Sequence, residues 1–105
     1  MMEDLPRLFK KFKEENPDIT EAYEKLGGIV HNAGPLDEKT RALLKIAISA
    51  GAGLEGAVHA HVRRALAAGV TREEILHAIF LILPTLGWPR MHQTWTWAND
   101  ILEEK

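Results

Sequence analysis

Apolar residues recur along almost the whole chain at intervals of three and four, the period of a helix buried on one side. No stretch alternates apolar and polar residues for long enough to predict a strand, and there is no internal repeat or low-complexity tract. From about Asp4 to Glu15, Leu5, Leu8, Phe9 and Phe12 share a face, while Lys10, Lys11 and Lys13 fall mostly off it; Asn16-Pro17 stops this first helix. The stripe Ile19, Ala22, Tyr23, Leu26, Ile29, Val30 and Ala33 predicts a second helix, with Asp18 as its cap and Glu21 completing a capping box. Gly27-Gly28 sits inside that stripe and weakens it. After the breaker Asn32-Ala33-Gly34-Pro35, Asp37 is placed to cap a third helix from about Glu38 to Ala50, which Gly51-Ala52-Gly53 ends. A fourth helix covers about Leu54 to Ala68, with Gly69 as its left-handed terminator. Thr71-Arg-Glu-Glu74 is a strong capping box for a fifth, about Arg72 to Leu83. Pro84 to Trp88 form a break or kink, and Pro89 suits the first turn of a sixth helix reaching about Glu103. The expectation is an all-α bundle of about six helices in one domain, with helices over residues 4–33 preceding a core over 36–103.

Two of these helices expose more apolar surface than a small bundle can cover. The run Ala78-Ile79-Phe80-Leu81-Ile82-Leu83 has no polar side, and a helix apolar all round must be covered all round. Neighbouring subunits are the expected cover. In the sixth helix, Met91, Thr94, Trp95, Ala98, Ile101 and Leu102 form the inward stripe. Trp97 falls opposite, with Arg90, Gln93, Asp100 and Glu104, and reads as an interface anchor.

Composition narrows the chemistry. At 105 residues the chain is about one domain, and 46% hydrophobic with 27% charged residues is a globular balance. Thirteen Lys and Arg against fifteen Asp and Glu give a net charge of −2, which predicts neither nucleic acid nor an anionic membrane as partner. The chain contains no cysteine, so disulfides, thiolate metal sites, iron–sulfur clusters and cysteine nucleophiles are excluded together. No apolar run is long enough for a membrane span. Met-Met-Glu-Asp-Leu-Pro lacks the features of a secretory signal, so the expected location is cytoplasmic.

Five histidines remain: His31, His59, His61, His77 and His92. On a helix, His59 and His61 point about 200° apart and cannot share an ion. Leu54, Ala57, Val58, His61, Val62, Ala65 and Ala68 form the predicted buried stripe of the fourth helix, so His61 is the inward ring and His59 lies nearer Glu55 and Arg63. His61 is either a satisfied core histidine or a site residue. His77 interrupts the apolar fifth helix, with Glu73 and Glu74 one turn before it. It is either a buried ring held by its own helix or, if it converges with His61, part of a site that polarises a carbonyl or moves a proton. Two imidazoles are a weak metal signal, and no metal or cofactor is expected. His31 and His92 are expected on the surface. Glu55, Arg63 and Arg64 read as a solvated or intersubunit face, and the lysines of the first helix as a solvated one. Gly51-x-Gly53 is no phosphate cradle, and Ser49, the single serine, lies in no nucleophile elbow.

The segments Leu36 to Ala50, His61 to Ile75 and Thr85-Leu-Gly-Trp-Pro89 resemble the carboxymuconolactone decarboxylase family, which includes the alkyl hydroperoxidase D-like proteins. The carrying pattern is a histidine, an alanine four residues on, a glycine four further, and a Thr-x-Glu-Glu-Ile helix start. The resemblance implies an all-helical alkyl hydroperoxidase D-like bundle and a homo-oligomer, a trimer or a hexamer. The peroxidase branch carries Cys-x-x-Cys-x-x-x-His and an upstream glutamate. Aligned on His61, those positions are Leu54, Ala57 and Ala42, and a thiol mechanism has neither its attacking nor its resolving sulfur. The decarboxylase branch works without cysteine on a lactone carboxylate and has a histidine at the His61 position.

Two readings follow. One is a lyase or isomerase acting on a small carboxylated or lactone substrate, with His61 and His77 catalytic and Arg64 holding the substrate. The other is a non-enzymatic oligomeric binding or scaffold protein that keeps the fold.

Overall fold

The computed structural model describes residues 4–104, with side chains from residue 7 onward; the place of Leu5 in the first stripe lies outside the described side chains. The described residues form seven α-helices: α1 Asp4–Glu15, α2 Pro17–His31, α3 Glu38–Gly51, α4 Glu55–Ala67, α5 Arg72–Phe80, α6 Leu83–Leu86 and α7 Trp88–Leu102. The chain divides into two compact units, Met1–Pro35 and Leu36–Lys105.

In the first unit, α1 and α2 are separated by Asn16 alone. Asn16 is the residue that caps α2, so Asp18 lies inside the first turn and the expected Asp18–Glu21 capping box does not form. Pro17 explains the difference. Its fixed φ and missing N–H suit the first helical position, and they start the helix a residue earlier. The helix continues through Gly27-Gly28. Lys13 Nζ lies 3.4 Å from Glu24 Oε1 and links the two helices. Their apolar stripes are open: Leu8, Phe9 and Phe12 on α1 and Ile19, Tyr23, Leu26, Ile29 and Val30 on α2 are all exposed.

The second unit is built around α4, which packs against α3 on one side and α7 on the other. Ile46 and Ala50 of α3, Val58, Val62 and Ala65 of α4, Ile75 and Ile79 of α5, and Ala98 of α7 are completely buried. The start of α3 is held by Asp37, whose carboxylate accepts the Thr40 N–H at 2.8 Å. Its far end is closed by another helix: Arg90 of α7 donates through Nη1 to the Ala50 carbonyl at 2.8 Å and to that of Gly51 at 3.2 Å. A guanidinium at a helix C-terminus satisfies orphan carbonyls and opposes the helix dipole. The chain turns toward α4 at Gly53, which has φ +72° and lies directly under Arg90. The positive φ favours glycine, and a Cβ there would approach Arg90 Nη1 to 2.7 Å and displace the guanidinium.

The capping box of α5 forms as expected. Thr71 N–H donates to Glu74 Oε1 at 2.8 Å, and Glu74 N–H donates to Thr71 Oγ1 at 3.0 Å. The helix ends at Phe80 rather than reaching Leu83. Pro84 has no N–H to give to the Phe80 carbonyl four residues earlier, so the ladder stops there and the short α6 begins. The continuous apolar run is therefore split. Ile79 and Ile82 face the core, while Phe80, Leu81 and Leu83 face outward. On α7, Met91, Thr94, Ala98 and Ile101 are buried as the stripe predicts, whereas Trp95 is exposed and Trp97 half-buried.

Both capping carboxyls are held below the usual carboxylate range, Asp37 by the backbone N–H of Thr40 and Glu74 by that of Thr71. A carboxyl lowered in the folded state adds stability above its unfolded pKa, and that stability is lost as pH falls through the folded value. Glu74→Gln keeps an acceptor oxygen but not the charge. Its melting temperature should fall less steeply than the wild type's as pH drops through and below the carboxylate range. Thermal unfolding against pH measures this, and parallel profiles would contradict the assignment.

Candidate functional site

Two polar features stand out against this core. The first is the seam between α4 and α7. His59 is 2% exposed, and its Nε2–H donates to Asp100 Oδ2 at 2.9 Å. One turn further along α4, Arg63 Nη2 donates to Oε2 of Glu104, just past the end of α7, at 3.0 Å. The two links advance together along α4 and α7, so these helices run in the same direction. The other ring nitrogen of His59, Nδ1, is buried without a hydrogen-bond partner.

This seam corrects the expected burial of α4. His59, expected outside the stripe, is the core histidine, and His61 is only half-buried. Leu54 is exposed, and Ala57 and Ala68 are half-buried, so the buried arc runs through Val58, Val62 and Ala65 with His59 on its flank. The arc is rotated toward α7 because Asp100 supplies a partner for the inward ring. Glu55 and Arg63, one turn to either side of His59, and Asp100 on the polar edge of α7 were the available signals. Their pairing across helices is a tertiary fact that periodicity does not contain.

The second feature is a cavity of about 530 Å³ between α3, α5 and α6. Thr40, Leu43, Leu44 and Ala47 line it from α3, Glu74, His77 and Ala78 from α5, and Leu81, Ile82, Thr85 and Leu86 from the segment that follows. His77 is exposed on this cavity, which corrects the expectation of a ring buried by its own helix. Glu74 is already engaged by the Thr71 backbone. No lysine or arginine is among the lining residues. Neither His61 nor the exposed Arg64 lines the cavity, so the second unit does not gather His61, His77 and Arg64 around one space. His92 is exposed and stacked between Trp88 and Trp95, with ring centroids 5.5 and 5.7 Å away. Leu54, Ala57 and Ala42 offer no group able to attack a peroxide. No described helix is long and apolar enough to cross a membrane.

The described helices enclose a cavity whose acid–base groups are the His77 imidazole and the Glu74 carboxylate, and the chain has no thiol. Residues 17–100 match the carboxymuconolactone decarboxylase family, and the chain belongs to that family. It is 34% identical over 96 residues to the uncharacterized protein MJ0742 of Methanocaldococcus jannaschii, a match spanning 90% of this chain and 88% of that one. No solved structure matches.

Asp100→Ala should leave both nitrogens of the buried His59 ring without a protein partner, costing about 1–3 kcal/mol. Asp100→Asn, which keeps an acceptor oxygen, should cost less. Urea unfolding distinguishes the two variants. An alanine variant as stable as the wild type would show that the link contributes nothing to folding.

Proposed function

We propose that this chain is a thiol-independent member of its family that takes a small, uncharged, lactone-like molecule into the α3–α5 cavity and moves a proton on it through His77. The observation that carries this reading is the lining: largely aliphatic walls, one imidazole and no fixed cation. A volume of about 530 Å³ falls in the ordinary range for small-molecule sites. Decarboxylation would be served by a cation that holds the substrate carboxylate; the lining offers none, and Glu74 would repel that carboxylate. An isomerisation needs less. One base takes a proton from the carbon beside the lactone carbonyl and returns it further along the conjugated system, with no net change in atoms. His77 supplies the imidazole of the lining, and the hydroxyls of Thr40 and Thr85 are the donors available to a carbonyl oxygen. His61 and Arg64 enter this chemistry only if a second subunit brings them to the cavity.

The same proposal includes a homo-oligomer, a trimer or a hexamer. Leu81, Leu83, Leu86 and Trp88 form an exposed apolar tract beside the cavity, and apolar patches of this kind mark interaction sites. That tract also favours a second reading, in which the groove is covered by another copy and the protein is a non-enzymatic scaffold.

The test uses small unsaturated lactones, with and without a carboxyl group, monitored by NMR shifts and ultraviolet absorbance, alongside native mass measurement. The neutral lactones should bind more tightly than the carboxylated ones. His77→Ala should lower turnover roughly 100-fold with the assembly unchanged. Binding without turnover would favour the scaffold, and turnover indifferent to His77 would sink the catalytic assignment.

A further inference from the structure

A different set of residues converges at the α4–α7 seam, away from the cavity. Glu55 and His59 stand one turn apart on α4, and Asp100 faces them from α7. One ligand atom from each, an imidazole nitrogen and two carboxylate oxygens, lies within 4.8 Å of the others. We propose that Glu55, His59 and Asp100 bind a divalent transition-metal ion of the zinc, manganese or iron(II) class, independently of any chemistry in the cavity.

The donor set supports that class. Three protein ligands are what open, catalytic-type zinc sites use, with the remaining positions taken by water. One imidazole nitrogen with two carboxylate oxygens suits borderline ions; soft copper(I) would ask for sulfur, and calcium or magnesium for oxygen alone. Bonds of about 2.0–2.2 Å place neighbouring ligand atoms roughly 3 Å or slightly more apart. His59 Nε2 and Asp100 Oδ2 are already 2.9 Å apart. An ion would displace the proton they share and sit to the side of the line between them, with Glu55 adjusting its side chain to complete the set.

Charge and access agree with the donor count. Two carboxylates around one imidazole concentrate negative charge, and the guanidinium one turn along α4, that of Arg63, is directed to Glu104. Glu55 and Asp100 are exposed while His59 is 2% exposed. An ion can thus enter from solvent and meet a ring already immobilised by packing. The buried Nδ1 limits the affinity. An ion on Nε2 shifts the ring proton to Nδ1, where no acceptor waits. Losing such an outer-shell partner costs about 10–100-fold in affinity, so binding should be micromolar rather than nanomolar.

The 105-residue chain, stripped with chelator, is titrated with Zn²⁺ by calorimetry and with Co²⁺ by visible absorption. The expected result is one ion per chain. Glu55→Gln and Asp100→Asn should each weaken binding by roughly 10-fold or more, and His92→Gln should leave it unchanged. His59→Ala should abolish the Co²⁺ spectrum, but the two carboxylate variants decide the outcome if it fails to fold. No saturable binding, binding indifferent to Glu55 and Asp100, or binding lost with His92 would overturn the proposal.

Discussion

The closeness of α4 to its neighbours α3 and α7 is the constraint on which the second unit depends. Helices approach closely only where the contacting side chains are small or well interdigitated. The completely buried positions here are largely of that kind: Ala50 on α3, Val58, Val62 and Ala65 on α4, Ala98 on α7. Larger side chains at the alanines would push the helices apart and remove the contacts that bury Ile46. The ends of α4 are set as tightly. Gly53 turns the chain in with φ +72°, and Gly69 turns it out with φ +90°. Arg90 then closes α3 over that first turn, so one side chain of α7 fixes the geometry between two other helices.

Packing this close leaves little room for a polar group, which makes the buried His59 notable. Its link to Asp100 and the parallel link from Arg63 to Glu104 set the sliding register of α4 against α7, which apolar contacts specify only loosely. The cavity has the opposite character. It opens where α5 stops at Phe80 and the chain changes direction through α6, leaving Leu81 and Leu86 on its wall rather than in the core. A proline at position 84 thus shapes the cavity indirectly, by ending the helix that would otherwise have continued.

Elements whose signals are local were legible in the sequence. Asp37 and Thr71 cap where their side chains and following residues indicate, Gly69 ends α4, and the all-helical family fold follows from periodicity and motif together. Asp18 did not act as a cap because Pro17 begins the helix first. The site was less legible. An apolar flank at Leu54 and Ala57 drew the predicted stripe toward His61, but those residues are exposed or half-buried, and the core arc lies closer to His59. Nothing local distinguishes the two rings. The partner that settles which one can be buried, Asp100, is on another helix, and burial of an imidazole depends on having such a partner. Likewise the outward position of His77 follows from the end of α5 and the opening of the cavity, neither of which is written in its own helical face.

The exposed apolar faces and the absence of cysteine both bear on the proposed assembly. No disulfide can reinforce this chain, and association is one way for a small core to bury more apolar surface. The stripe on α2 illustrates the need: Ile19, Leu26 and Ile29 have helical spacing, face one way and are open. The proposed homo-oligomer would supply the missing partner surface, and the stability of the chain would then rise with its concentration. It would bear equally on the chemistry. A cavity walled by Leu44, Leu81 and Leu86 excludes water well only when its open side is covered, and a histidine moves protons on an uncharged substrate more selectively in a closed space. Folding and proton transfer would therefore both gain from a second copy, the one through the α2 stripe and the other through the cavity rim.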